Sequence, residues 1–303
     1  MQLSQLKYFS IVHLLNLIDQ QEINFMKRKI FLSLIVVSLI SSFTFLFVCC
    51  KPRDPVTTID PPIENQTPPP PVLGHTIIQV YPHDTSFYTQ GLTFYKGELY
   101  EGTGDPRHDG QSRLMKIELK TGNALKKISL SDKYFGEGIT ILRDTVYQLT
   151  WQEHKVFVYT LNDFKRIKEY NIDTDGWGIT NDGQKLIVST GSGMLYYYDP
   201  SSFKLLSKSS IMEGNSNTFN LNELEYIDGF VYANQYQYAY MLKIDPAAGR
   251  VVAKYDLNDM WNKVKAIDPN VDVPNGIAYD STTKKIFVTG KYWPEMYEIQ
   301  LAQ

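Results

Sequence analysis

From residue 76 to residue 301 the apolar positions come mostly in short alternating runs broken by Gly, Asn, Asp or Pro. That is the pattern of half-buried strands joined by tight turns. Leu92-Thr-Phe and Glu98-Leu-Tyr-Glu flank the turn Lys96-Gly97, and the runs Leu114 to Leu119 and Ala124 to Leu130 flank Lys120-Thr-Gly-Asn. The same later hairpin recurs at Leu161-Asn-Asp-Phe, Asp199-Pro-Ser-Ser and Asp245-Pro-Ala-Ala-Gly. Asp-Pro and Gly at these places are turn chemistry. One stretch departs: Asn258 to Val273 reads as a short helix, Asp259-Met-Trp-Asn-Lys-Val-Lys, followed by a loop, and is predicted to cover part of whatever lies near Asn275. Asp105 to Gln111 is polar and reads as a second loop.

The strand pattern repeats. Gln90-Gly-Leu-Thr, Glu137-Gly-Ile-Thr, Trp177-Gly-Ile-Thr, Asn222-Glu-Leu-Glu and Asn275-Gly-Ile-Ala form one column, spaced by 47, 40, 45 and 53 residues. Fourteen residues further on stand Gly104, Trp151, Gly191 and Tyr236; in the last repeat a turn longer by two puts Lys291 there at sixteen. Repeats of this length, each holding several short strands, predict an all-β propeller with one blade per repeat. The last repeat stops after its third strand, Met296-Tyr-Glu-Ile-Gln-Leu, while a lone strand, Thr76-Ile-Ile-Gln-Val-Tyr, precedes the first. The prediction is therefore a five-bladed propeller over 74–303, closed by its N-terminal strand, which leaves no exposed edge at the seam. Radial blades bring equivalent positions together at the axis, so Gln90, Glu137, Trp177, Asn222 and Asn275 are expected in one ring with Trp151, Tyr236 and Lys291 beside it.

Composition removes several functional classes. A net charge of -3 gives no electrostatic case for nucleic acid. Tyr and Phe, 21 and 15 in number, recur at strand spacing and suit pleated packing. Both cysteines, Cys49 and Cys50, end one apolar run, so the body has no disulfide and no Cys-based metal site. His13, His75, His83, His108 and His154 form no HxxxH or HExxH pair and read as surface or loop residues, so no metal and no cofactor is expected.

The N-terminus reads as an address. Lys27-Arg28-Lys29 precedes the apolar run Ile30 to Val48, the basic and hydrophobic parts of a bacterial export signal over 26–50. Met26 starts that signal, which makes residues 1–25 an over-extended start. The run ends at Cys49-Cys50 and resembles a lipoprotein signal, with Cys49 or Cys50 as the lipidated residue; an uncleaved anchor is the alternative. Residues 51–73, with Pro55, Pro61, Pro62 and Pro68 to Pro71, read as an extended spacer. The body is thus expected outside the cytoplasm, in the cell envelope, held to a membrane by lipid and acting as a monomer.

Each ring member also has a bland explanation. Gln and Asn at strand starts satisfy backbone groups, a lone Glu pairs with a Lys, and Trp fills a channel. Variation confined to one column of a repeated frame favours a site instead, and an aromatic pocket with directed polar groups favours a compact substrate. Tyr88-Thr-Gln-Gly-Leu, Phe135-Gly-Glu-Gly-Ile-Thr, Gln148-Leu-Thr-Trp, Gly176-Trp-Gly, Leu221-Asn-Glu-Leu-Glu, Asn275-Gly-Ile-Ala and Thr289-Gly-Lys, followed one residue later by Trp293-Pro, occur in the order found in plant- and bacterial-type glutaminyl cyclases. Over about residues 75–301 the chain resembles that family, metal-independent five-bladed propellers that convert N-terminal Gln of peptides to pyroglutamate and release ammonia. The resemblance implies Glu137 as proton shuttle, Gln90, Asn222 and Lys291 as holders of the substrate amide and α-amine, and Phe135, Trp151 and Trp177 as pocket walls. The family usually has Trp where this chain has Tyr236.

Those groups suit the reaction, since an amine attacking its own side-chain amide needs a folded substrate, one acid for the leaving nitrogen and donors for the oxyanion. Two other functions are carried forward. A calcium-dependent propeller lactonase would use Glu137, Asn222 and Asn275 around an axial cation; a non-catalytic surface propeller would bind partners through its loops.

Overall fold

The computed structural model describes residues 67–107 and 110–302. The expectations for residues 1–25, the export signal, Cys49, Cys50, His13, His108 and the spacer up to residue 66 lie outside the described residues. Among the described residues no helix is long and apolar enough to cross a membrane.

The protein is an all-β propeller. Four sheets have four strands each, and three of these follow the chain in order from an inner strand to an outer one. Their inner strands are Tyr88–Tyr95, Gly136–Leu142 and Ile179–Asn181. The fourth holds Pro274–Asp280, Lys285–Gly290 and Glu295–Leu301, and its outer strand is His75–Pro82, paired antiparallel with Glu295–Leu301. The remaining sheet differs from a regular blade. Around Leu221–Ile227, Phe230–Gln235, Tyr240–Asp245 and Arg250–Asp256 it gathers Met212–Glu213, Ser216–Asn217 and Val72–Leu73, seven strands in all. Two of the added pieces pair along its outer strand, with Val72 opposite Lys254 and Met212 opposite Arg250, and Ser216–Asn217 pairs with Met212–Glu213 beyond it. Residues 67–73, assigned above to the spacer, are thus docked, with the Lys254 N–H donating to the Pro71 carbonyl and the Thr67 N–H to Asn215 Oδ1. Extended Pro-rich backbone still offers carbonyls to an open strand edge, which composition alone does not reveal.

Burial follows position in the sheet. The inner strand Gly136–Leu142 is buried throughout, whereas the outer strand Arg166–Asn171 is mostly exposed. Each inner strand touches the next, and Pro274–Asp280 touches both Leu221–Ile227 and Tyr88–Tyr95. Hydrophobic clusters fill each gap between neighbouring sheets, such as Leu149, Val156, Ile179 and Val188 between the second and third. One of them joins the last sheet to the first through Phe287, Met296, Leu92 and Met115.

At the column positions the ladders slip. Register shifts fall between Thr89 and Gly91, Gly136 and Ile139, Leu221 and Leu224, and Pro274 and Ile277. Each shift skips a column residue, Gln90, Glu137, Asn222 or Asn275, and such a bulge frees its side chain from the regular alternation of the strand. The glycine that follows is required by close backbone approach. A Cβ on Gly138 would lie 2.7 Å from the Trp177 carbonyl oxygen, and one on Gly178 would lie 2.0 Å from that of Asn222. The Gly138 N–H donates to the Trp177 carbonyl at 2.8 Å across that gap. In the fourth repeat Glu223 replaces this glycine. Its buried carboxylate accepts the N–H of Leu92 at 3.2 Å and of Ile277 at 2.8 Å, binding three inner strands together.

The helix spans Asn258–Ile267 and buries Met260 and Val264 between the seven-stranded sheet and the last one, while the loop after it reaches Lys291 through Asp272 and Val273. Two apolar residues four apart gave it a side of the barrel to pack on. His83 is buried, and so is the side chain of His75, contrary to their reading as surface groups. His83 finds buried polar partners described below.

Glu223→Gln replaces one acceptor by a donor facing a backbone N–H, and is expected to lower the unfolding free energy by about 1–3 kcal/mol. An unchanged urea midpoint would show that the carboxylate does not hold the inner strands.

Candidate active site

The ring encloses a cavity of about 300 Å³. Gln90, Phe135, Glu137, Trp151, Trp177, Asn222, Tyr236 and Lys291, all expected from the two columns and their flanking motifs, line it. Asn275, also expected, stands behind the wall: it is fully buried, and its amide nitrogen donates to the Thr89 carbonyl at 2.9 Å and to Gln90 Oε1 at 3.2 Å.

The second column alternates between walls and room for walls. Trp151, Tyr236 and Lys291 reach the cavity, while Gly104 and Gly191 leave space for rings from elsewhere. A Cβ on Gly104 would meet the Phe135 ring at 2.3 Å, and one on Gly191 would meet the Trp177 ring at 2.6 Å. Phe135 and Trp151 then pack with ring centroids 5.7 Å apart, and Trp177 meets Tyr236 edge-on at 5.5 Å.

Polar groups are set into this aromatic lining. Lys291 is buried, its ammonium donates to Gln90 Oε1, and it lies 4.0 Å from the centre of the Tyr88 ring. Gln90 Oε1 therefore takes hydrogen bonds from Lys291 and Asn275, so the Gln90 side chain offers a ligand its N–H only. Three buried polar atoms on the cavity walls have no partner in the protein: Glu137 Oε2, Trp177 Nε1 and Asn222 Oδ1. Leaving a buried polar group unmade costs about 1–3 kcal/mol each. A proton-exchanging carboxyl, a donor and an acceptor held open on one cavity are the marks of a small ligand with matching groups.

Charge is finely balanced here. Burial pushes the Glu137 carboxyl well above the usual range; Lys291 opposes this, and Glu153 and Asp175 add to it. Burial pulls Lys291 down to about 8, against Glu137 and Asp272, which favour its charge. An acid that holds its proton near neutrality beside a cation poised to lose one is suited to proton transfer and to meeting a developing oxyanion.

The glutamine cyclotransferase family profile matches residues 55–301. The chain belongs to the glutamine cyclotransferase family. A glutaminyl-peptide cyclotransferase of Arabidopsis thaliana is 33% identical over 290 residues, 92% of this chain and 86% of the plant protein. The crystal structure of Myxococcus xanthus glutaminyl cyclase superposes with a TM-score of 0.70 at 32% identity, covering 77% of this chain and 98% of the other.

This member of the glutamine cyclotransferase family has further wall residues that the columns did not select, Tyr88 and Pro106. Tyr88 precedes Gln90 by two, as Phe135 precedes Glu137, so a column at minus two carried its signal. Pro106 lies in the polar loop, where nothing in the pattern marks it. The loop after the helix contributes backbone: the Asp272 N–H donates to the Lys291 carbonyl at 2.9 Å, and the Lys291 N–H to the Val273 carbonyl at 3.1 Å.

Lys291 weakens the fold it serves. Between about 8 and its ordinary 10.5 the unfolded chain binds more protons than the folded one, so stability rises with pH across that window. Below it the penalty for the buried charge, about 3 kcal/mol, is present in full. Lys291→Met is therefore expected to raise the thermal midpoint at pH 7 by several degrees; a lowered midpoint would mean that the cation stabilises the folded state.

Proposed function

We propose that this protein is a glutaminyl-peptide cyclotransferase that closes N-terminal Gln to pyroglutamate in the cavity around Glu137. The observation that carries this reading is the set of three partnerless atoms, because an N-terminal Gln complements all of them. Its α-amine donates to Asn222 Oδ1, and its side-chain amide lies between the Glu137 carboxyl and the donors of Lys291 and Trp177. Family membership and the match to the Arabidopsis and Myxococcus proteins support the same reading.

The neutral α-amine attacks the side-chain carbonyl carbon. A C–N bond forms, and the carbonyl electrons move to oxygen, where the Lys291 ammonium meets the negative charge. Glu137 exchanges protons with the two nitrogens, so that the attacking nitrogen loses one and the leaving nitrogen gains one. The original amide C–N bond then breaks, and ammonia departs. Holding the substrate folded among Phe135, Trp151 and Trp177 supplies the proximity that an intramolecular attack exploits. Tyr236, against Trp177 and hydrogen-bonded to Tyr88, gives the cavity a hydroxyl where the family's usual Trp would offer a larger ring and an indole N–H.

In the same reading the seven-stranded sheet is the fifth blade, and the pairing of His75–Pro82 with Glu295–Leu301 closes the ring. The export signal at 26–50, lipid on Cys49 or Cys50 and a spacer to about residue 66 would carry the propeller as a monomer into the cell envelope.

The purified protein is expected to release ammonia from a Gln-initiated dipeptide, unaffected by EDTA, and Glu137→Gln is expected to remove at least 99% of the rate, about the lower range of general acid–base contributions. Loss of activity on chelation would favour the calcium lactonase alternative, and no turnover would favour a binding scaffold. On the pH profile the acid limb should follow the substrate α-amine, which must be neutral, near ~8. The alkaline limb should follow Lys291 at about 8 and move to higher pH in Lys291→Arg. An alkaline limb that stays in place in that variant assigns it to another group.

A further inference from the structure

Behind the cavity wall lies a second polar cluster that the reaction as derived does not use. His83 and Glu101 are both buried with no exposed side-chain surface, and His83 Nε2 lies 3.2 Å from Glu101 Oε1. The other ring nitrogen, Nδ1, is 2.7 Å from the Trp293 carbonyl oxygen. A carbonyl and a carboxylate are both acceptors, so both ring nitrogens are placed to donate and the partners suit an imidazolium. Burial works against charge on His83, yet Glu101, the Trp293 carbonyl and Asp84 together more than offset it, and the ring holds its proton more tightly than usual.

We propose that His83 and Glu101 are positioning residues of the active site, which fix Lys291 and Gln90 from behind. Two chains of contacts lead from the pair to those groups. On one side, His83 takes hold of the turn that carries Lys291: its ring grips the Trp293 carbonyl, and its backbone N–H donates to the Pro294 carbonyl at 2.9 Å. On the other side, Thr89 Oγ1 donates to Glu101 Oε1 at 2.7 Å, and the Thr89 carbonyl accepts from Asn275 Nδ2 at 2.9 Å. Asn275 in turn donates to Gln90 Oε1, the same oxygen that accepts the Lys291 ammonium. Lys291 and Gln90 come from opposite ends of the folded body, 201 residues apart, and the pair ties both ends to one point.

A buried ion pair is a poor way to gain stability, since desolvation offsets most of the attraction. Fixed orientation is what it supplies here. The ammonium of Lys291 hangs on a flexible stem that would otherwise sample several rotamers in a cavity of this size.

The role rests on the cyclotransferase reading, and the test separates the two. Ammonia release from a Gln dipeptide is measured for the wild type, Glu101→Gln, Thr89→Val, Gln90→Leu and the double variant Thr89→Val/Gln90→Leu, with thermal midpoints alongside. Thr89→Val removes one hydroxyl from the link and keeps the shape, so it reports even where Glu101→Gln fails to fold. Expected is a fall in kcat of about tenfold or more in each folded single variant, as a small misplacement costs, with KM changed less than about threefold. In the Gln90→Leu background Thr89→Val should add little, because the group at the end of that chain of contacts is gone. Folded variants with near-wild-type kcat, or losses that multiply in full in the double variant, would overturn the proposal. A wild type that releases no ammonia overturns the cyclotransferase reading and, with it, this role.

Discussion

Everything in this molecule depends on how closely the inner strands crowd the axis. Gly138 and Gly178 let backbone touch backbone, and Glu223 spans the remaining gap with one carboxylate that serves two strands from other sheets. That contact cannot be made with ordinary side chains, so the frame around the column tolerates little change. It also sets the size of the space left over, into which Gln90, Glu137, Trp177 and Asn222 project from the column one position earlier. The cavity is what remains when the strands have been packed as tightly as their backbones allow.

Within that space the energetics run against the fold. A carboxyl pushed to hold its proton, a lysine pulled toward losing its own, and three polar atoms without partners are each unfavourable for a folded chain at rest. They sit together on one wall set, in a molecule whose other gaps are filled with Leu, Val, Ile and aromatic side chains. The hydrophobic clusters supply the stability against which such groups at a functional site are accommodated.

Most of the site was legible because the repeat turns a one-dimensional column into a ring. Gln90, Glu137, Trp177 and Asn222 share a register, and radial symmetry does the rest. Legibility ended where symmetry ended. Nothing in the sequence places Pro106, which rides on a loop present in one repeat. His83 was misjudged because a single histidine carries no periodic signal; its partner Glu101 lies on a neighbouring strand in a position that reads like any other strand residue. The helix at Asn258–Ile267 showed its apolar stripe but not which gap the stripe would enter. Residues 67–73 looked like spacer because proline runs rarely pair, and here an outer strand with free edge groups receives them.

The bulges have a consequence for how such a protein changes over time. A residue skipped by the ladder makes no demand on strand pairing, so its identity is nearly independent of the sheet that carries it. The positions of Gln90, Glu137, Asn222 and Asn275 can therefore carry different side chains while the frame on either side keeps its pairing. The architecture separates what must be conserved for assembly from what is open to invention, and a new chemistry in this scaffold needs a handful of single-residue changes rather than a new fold.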